Sequence, residues 1–409
     1  MSEHGRRFVI AGAGIAGLTL ALALAKFGAS VTVLERRPRI DEFGAGLQIS
    51  PNARRILDRL GASRYLMPHM HLPGAIDIYP IWRKHRPLAS LELGSVMQQR
   101  FGAPYGVMHR ADLVEALHQA CKRFATIDVL FGVKNVDFAH HAHGFTVLVE
   151  EADGKSRTIR PFAYIGADGV HSATRTDLVA GPKSRYGGYV AWRALIEIKD
   201  LPEAFNTANT SLLWGPDFHG VVYPLPHRGV ANLVLLTRMS ERRARQARDG
   251  RPFMAPNAMQ RSPLFVHMLD RAPKLTPWPL YEVSTRVWHK GVVGLVGDAA
   301  HAMLPFQAQG AAMAIEDAAV LAPLLMTHAE PETAYQAYAR IRLGRMARVA
   351  RLSAWNGQIF HLGWPLGYLR DLAVFAQGRR AHLKRLGWIY SYDPAPEPQL
   401  APARPFETM

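Results

Sequence analysis

The chain has 409 residues, 48% of them apolar and 20% charged, with 34 Gly, 28 Pro and a single cysteine. That composition excludes a disulfide scaffold, a collagen-like repeat and a wholly disordered chain, and the length suffices for one large core or two to three packed units. A net charge of +16 favours anionic partners, whether a phosphorylated cofactor, a carboxylate substrate, nucleic acid or an acidic lipid surface.

Arg6-Arg7 precedes eighteen mostly apolar residues, Phe8 to Ala25, a stretch that looks like a signal peptide or a short membrane span. Gly12-Ala13-Gly14-Ile15-Ala16-Gly17 breaks it, so it reads as strand, tight turn and helix. No other run approaches membrane length, and no stable membrane insertion is expected. Arg7 to Ala11 is a short strand, Leu18 to Phe27 a helix ending at Gly28, and Val31 to Leu34 a second buried strand. Together they form a βαβ unit with a right-handed crossover. A helix is predicted from Arg110 to Phe124, then a strand near Val129. Phe145 to Glu150 and Ser156 to Arg160 form a hairpin across Asp153-Gly154.

Between Tyr186 and Thr237 the pattern alternates, in Tyr189 to Ile198, Ser211 to Trp214, Gly220 to Pro224 and Val230 to Thr237, as an inserted antiparallel sheet would. Val292 to Val296 is an apolar strand returning to the first unit, Gly310 to Leu325 is helical, and two or more helices follow to about Tyr390. From Pro394 onward the Pro-rich end reads as an unstructured tail. Pro331 to Tyr390 holds ten Lys/Arg against Glu332 and Asp371. Arg342, Arg345, Arg348 and Arg351 recur every three residues and read as a solvated helix face. Without an aromatic-interleaved basic groove, no nucleic-acid partner is expected. Gly363-Trp364-Pro365-Leu366-Gly367-Tyr368 reads as core, ahead of a dimer or membrane-surface contact. Cys121 also reads as core, and a lone cysteine fits a cytoplasmic address. His140-His141-Ala142-His143 has no partner cluster that would complete a metal site, and none is expected.

Three motifs carry chemistry. Gly12, Gly14 and Gly17, with Ala16 among them, follow a strand and open a helix, and Glu35 ends the next strand. Glycines there let the backbone approach a pyrophosphate at the positive helix end, and the carboxylate accepts bonds from ribose hydroxyls. This alone does not separate FAD from NAD. The second motif is Gly166-Ala167-Asp168-Gly169-Val170-His171-Ser172-Ala173-Thr174-Arg175, at the end of an apolar strand. The third is Gly297-Asp298-Ala299-Ala300-His301, followed by Pro305, by Gln309-Gly310-Ala311-Ala312-Met313 and by Glu316-Asp317. A carboxylate at a strand end suits ribityl hydroxyls, and unpaired N–H groups at Gly310, Ala311 and Ala312 can stabilise a negative isoalloxazine.

In this order the three motifs resemble the fingerprints of single-component FAD-dependent aromatic hydroxylases of the para-hydroxybenzoate hydroxylase type, over most of residues 7 to 325. The resemblance implies an α/β fold: a Rossmann-like FAD-binding domain (1–70, 100–180, 280–330), an inserted antiparallel substrate sheet (71–99, 181–279), a C-terminal helical region (331–390) and a flexible tail (391–409). It implies non-covalent FAD, NAD(P)H docking transiently as co-substrate, and O2 attack on an activated ring through a flavin C4a-hydroperoxide. Arg36 would touch the adenosine, Arg110 the pyrophosphate or ribityl chain, and Val133 the adenine. Gln48, in the loop Gly44 to Asn52, would face the ring or substrate. Asp168 and Arg175 would be shared with pyridine nucleotide, Asp298 would hold the ribityl chain, Pro305 and Gln307 would line the substrate side, and His301 would be structural.

His219 and Tyr223 stand four apart on a predicted strand and so share a face. The His-x-x-x-Tyr-Pro pattern resembles the branch of 3-hydroxybenzoate 6-hydroxylase, salicylate hydroxylase and 6-hydroxynicotinate 3-monooxygenase. His219 is expected to take a phenolic proton, which enriches the ring ortho and para to the oxygen, and Tyr223 to hydrogen-bond the substrate. The expected partners are thus a small phenolic or hydroxypyridine carboxylate, O2 and NAD(P)H, for a monomer or homodimer. Two alternatives stay open: a flavin monooxygenase of larger quinone, polyketide or antibiotic substrates, and a non-enzymatic flavin-binding redox sensor or scaffold.

Overall fold

Strand Arg7–Ala11 pairs in parallel with Ser30–Glu35 on one side and Ala163–Gly166 on the other, which puts the first strand at the centre of its sheet. In the computed structural model, which describes residues 5–40, 46–141, 144–272 and 274–394, that sheet runs Ile127–Phe131, Ser30–Glu35, Arg7–Ala11, Ala163–Gly166, Val293–Leu295, with His289–Lys290 antiparallel at the edge. Helix Ile15–Lys26 is apolar all round because it packs on this sheet and against helices Arg110–Cys121 and Gly310–Thr327. Gly310–Thr327 is, among the described residues, the helix long and apolar enough to cross a membrane, but most of it is buried in this core. Ser156–Ile159, Gly144–Glu150 and Asn135–His141 make a small antiparallel sheet.

The second large sheet runs Thr276–Glu282, Arg185–Glu197, Val230–Arg238, Phe218–Leu225, Thr210–Gly215, Ala75–Pro80, Ala89–Glu92. It is antiparallel except where Thr210–Gly215 lies parallel to Ala75–Pro80. One face, with Val190, Trp192, Phe218, Val222 and Leu235, packs on Met259, Leu264 and Phe265 of two short helices. The other face, with Tyr189, Ala191 and Leu236, packs on Phe306, and its Tyr223 on Tyr105 and Met97. Period-two alternation therefore aims His219 and Tyr223 away from the helices and toward the cofactor-binding unit. Helices Pro331–Phe360, Leu366–Ala376 and Ala381–Tyr390 follow, and Arg59 pairs with Asp393. The tail from residue 395, Gly44 and Ala45 of the expected flavin loop, and Ala142-His143 lie outside the described residues.

Two expectations are corrected. The arginine row is a solvated face only in its second half: Arg348 and Arg351 are exposed, but Arg342 is fully buried, donating to Asp317 Oδ1 at 2.8 Å and to Glu316, while Arg345 donates twice to Glu316 at 2.7 Å. A repeat of three fixes which side chains share a face but not what that face meets. Gly363 to Tyr368 is not core either: Trp364 is 89% exposed and Tyr368 64%.

Candidate active site

A cleft of about 700 Å³ opens at the end of the parallel sheet, lined by Gly12, Gly14, Glu35, Arg36, Arg110, Val133, Asp168 and His171. The glycines are required by space. Gly12 has φ +105°, and a Cβ there would sit 2.5 Å from the Ala167 carbonyl oxygen; a Cβ on Gly17 would lie 1.9 Å from the Gly12 oxygen. Gly14 meets nothing within 4 Å, so the helix start is open to a ligand. Glu35 accepts from the Ala13 and Arg37 N–H groups at 2.9 Å, which fixes its carboxylate at the rim. The Val133 N–H donates to the Glu35 carbonyl at 3.0 Å.

The middle motif is tied to its own loop. Asp168 accepts from Ser172 Oγ at 2.5 Å and from the Thr174 N–H and hydroxyl at 3.0 Å. Arg175, expected to serve nucleotides, is fully buried and donates to the carbonyls of Pro182, Ala299 and Val170. Those bonds staple the middle motif to the third.

Asp298 is the half-buried first residue of the short helix Asp298–His301, and its carboxylate makes no hydrogen bond among the described residues. Helix Gly310–Thr327 begins without a side-chain cap, which leaves the N–H groups of Gly310, Ala311 and Ala312 unclaimed. Beneath them lies a buried polar network. Gln309 donates to Ser50 Oγ at 3.0 Å, Asn52 to Glu316 at 2.7 Å, and Asp317 accepts from the Gly297 N–H at 2.9 Å and bonds His301. Burial raises the Asp317 carboxyl, but the charges of His301 and Arg342 win and hold it at about 2. His301 belongs to this network through Asp317 and packs on Trp288. An uncommitted carboxylate, an open helix start and a glycine cradle together fit FAD.

On the sheet side, His219 is 2% exposed, on a central strand. Its Nδ1 lies 2.8 Å from Nε2 of His361, just after the long C-terminal helix, and its ring packs on Phe306, Phe360 and His361. Burial, then the neighbouring His361, lowers its proton affinity well below the ordinary histidine range. The Tyr223 hydroxyl lies against Gly46, where a Cβ would be 2.0 Å away. Beside it the Gly46 N–H donates to Asn232 Oδ1 at 2.9 Å, and Tyr105 donates to Gln48. The structure thus brings Tyr223 beside the strand that carries Gln48, while His219, four residues along on the same sheet face, packs with Phe306, Phe360 and His361. Pro305 is exposed and Gln307 bonds Asn356, so the side chain of this loop that meets His219 belongs to Phe306.

The sequence reading missed Arg193 and His361. Arg193 shares a row of its strand with Tyr189 and Ala191, on the sheet face that carries His219 and Tyr223. Its Nε is buried without a hydrogen bond, its guanidinium sits 5.1 Å from the Trp278 ring, and burial together with nearby Arg110 pulls it down to about 10. The signal was parity: a lone cation on the apolar row of an alternating strand. His361 carried no local signal. Elsewhere His69, Asp112 and His227 gather within 4.8 Å, but Arg228 and His227 engage both Asp112 oxygens, which makes the group an ion-paired clamp.

The FAD binding domain family matches residues 7–353. The chain belongs to that family. It is 33% identical to 3-amino-4-hydroxybenzoate 2-monooxygenase PtnB3 of Streptomyces platensis, across 97% of this chain and 98% of that one. It is equally 33% identical to 3-hydroxybenzoate 6-hydroxylase 1 of Aquipseudomonas alcaligenes, across 93% and 96%. The fold matches that of Klebsiella pneumoniae HpxO, solved with FAD, at a TM-score of 0.76, 20% identity and coverage of 94% and 98%. The chain is an FAD-dependent aromatic monooxygenase that uses O2 and NAD(P)H, and the sensor and scaffold readings fall away.

Proposed function

We propose that this flavoprotein monooxygenase hydroxylates a small aromatic acid bearing a phenolic hydroxyl, with His219 as proton acceptor. The observation that carries the reading is a buried imidazole with one ring nitrogen engaged by His361 and no hydrogen bond to Nε2 among the described residues, on the sheet face shared with Tyr223 and the unpaired Arg193. The two curated relatives act, by name, on hydroxybenzoates, which unite a phenol and a carboxylate; substrates of the quinone, polyketide or antibiotic type are not favoured.

Bound FAD, reduced by NAD(P)H, supplies the activated oxygen atom from O2. FAD would be held by Gly12, Gly14, Ala16, Gly17, Glu35, Arg36, Arg110, Val133 and the Asp168 loop at its nucleotide half. Asp298, Gln48 and the N–H groups of Gly310, Ala311 and Ala312 would hold its flavin half. His219 takes the phenolic proton, and the O–H electron pair stays on oxygen and enriches the ring. The low proton affinity of the buried imidazole recovers once a phenolate stands beside it. Tyr223 hydrogen-bonds the phenolic oxygen, Arg193 draws the carboxylate, and Phe306, Phe360 and Tyr189 exclude water. Pro305 and Gln307 line the entrance through backbone and amide. A cytoplasmic address accords with the single thiol of Cys121, which is buried, and a monomer or homodimer is the expected assembly.

His219→Ala tests the reading. Turnover of phenolic acids is expected to fall about a hundredfold, a usual loss for a general base, with FAD content unchanged. Unaltered turnover with a full flavin complement overturns the assignment.

A further inference from the structure

The His219–His361 contact is a bond between two imidazoles, so one ring must donate and the other accept. The surroundings of His361 decide whether it can accept. It is buried, and its ring packs on Tyr189, Phe306 and His219. The charged groups that face it are Arg238 from the sheet and Arg370 from the next helix; these cations, after burial, hold it down to about 4. His361 is therefore neutral at working pH, with one nitrogen able to accept. Its Nδ1 is buried without a partner among the described residues and carries the neutral ring's one proton when Nε2, 2.8 Å from His219, accepts.

We propose that His361 is a positioning residue for the hydroxylation: its Nε2 accepts the Nδ1–H of His219, which leaves the His219 Nε2 lone pair directed at the substrate. The reverse polarity puts a proton on His219 Nε2 and leaves no base there. This rests on the reading of His219 as base, and given that reading the direction of the bond is fixed. When Nε2 takes the phenolic proton, the electron pair of the O–H bond remains on the phenolate oxygen, and the new imidazolium keeps its Nδ1–H bonded to His361. The neighbouring cations make it unfavourable for that second proton to pass on to His361. His361 thus sets a tautomer without becoming a proton store.

The test uses the FAD-loaded enzyme with a hydroxybenzoate that it turns over. His361→Leu, which cannot accept, is expected to lower kcat about tenfold to a hundredfold with KM nearly unchanged, whereas His361→Gln, whose Oε1 can accept, restores most of it. Nitrogen-15 spectra of histidine-labelled wild-type enzyme, assigned with His219→Ala, should show His219 protonated at Nδ1 and bare at Nε2. A proton on Nε2 overturns the inference even if His361→Leu fails to fold. Full kcat in His361→Leu, with turnover lost in His219→Ala, defeats the positioning role and leaves the base standing. Full turnover in His219→Ala defeats the base reading itself.

Discussion

Around Arg342 the buried charges answer one another: Glu316 and Asp317 face Arg342, Arg345 and His301, and backbone N–H groups and Asn52 take up carboxylate lone pairs. Around His219 they do not. Among the described residues Arg193 has no carboxylate and Nδ1 of His361 has no partner, and two neutral imidazoles share one bond. A satisfied cluster fixes structure, here the start of the helix meant to hold the flavin, since breaking any link strands a buried charge. An unsatisfied one stores binding capacity, because an anionic or hydroxylated guest supplies what the protein left out.

The contrast can be broken most forcefully at Arg342. Arg342→Met should destabilise the fold by about 3–5 kcal/mol, the range for removing one partner of a buried ion pair, in urea unfolding of the holoenzyme; a loss under about 1 kcal/mol would mean that the network carries no structural load.

Acid separates the clusters by pH. His361 binds protons in the unfolded chain near 6.5 but in the folded one only near 4, so its contribution is lost as pH falls between those values, on the order of 3 kcal/mol. Asp317 is depressed from 3.8 to about 2, so its contribution stands above about 4 and fades as pH falls toward 2. Urea midpoints across pH 7 to 3 should decline first in the histidine window, and that first step should shrink in a His219→Phe, His361→Phe double variant, the remainder coming from other buried histidines such as His382, which burial also holds down to about 4.

Arg193→Met sharpens the comparison from the other side. It should raise KM for aromatic carboxylates about tenfold, the worth of one charge-assisted hydrogen bond, yet leave stability equal or higher because an uncompensated charge has gone. Parallel titration of an uncharged phenol, whose KM should not move, checks that the effect belongs to the carboxylate.

Much of the cofactor-binding unit was legible from local rules. A strand leading into Gly12, a helix opening at Ile15 and Glu35 closing the second strand are one short βαβ unit, whose pattern is readable within thirty residues although Ala167 also crowds Gly12. The hairpin at Asp153-Gly154 and the alternating strands from Tyr189 to Thr237 were readable for the same reason. What failed was judgement of surroundings. Arg342 looked solvated because periodicity does not say that Glu316 and Asp317 wait across a helix interface. Arg175 looked available because a motif does not show three carbonyls closing on its guanidinium. Trp364 and Tyr368 looked like core because composition does not record which apolar side chains find cover.

From the chain alone came the positions where the backbone must bend, where a helix end is left bare, and which strand carries His219 and Tyr223, since these follow from local sterics and the two-residue repeat. Tertiary structure alone decided that His361, 142 residues away, would touch His219, and that the Nε of Arg193 would be buried with no carboxylate beside it among the described residues. Pairing and desolvation depend on what distant segments bring within a few ångströms, and no local pattern encodes that.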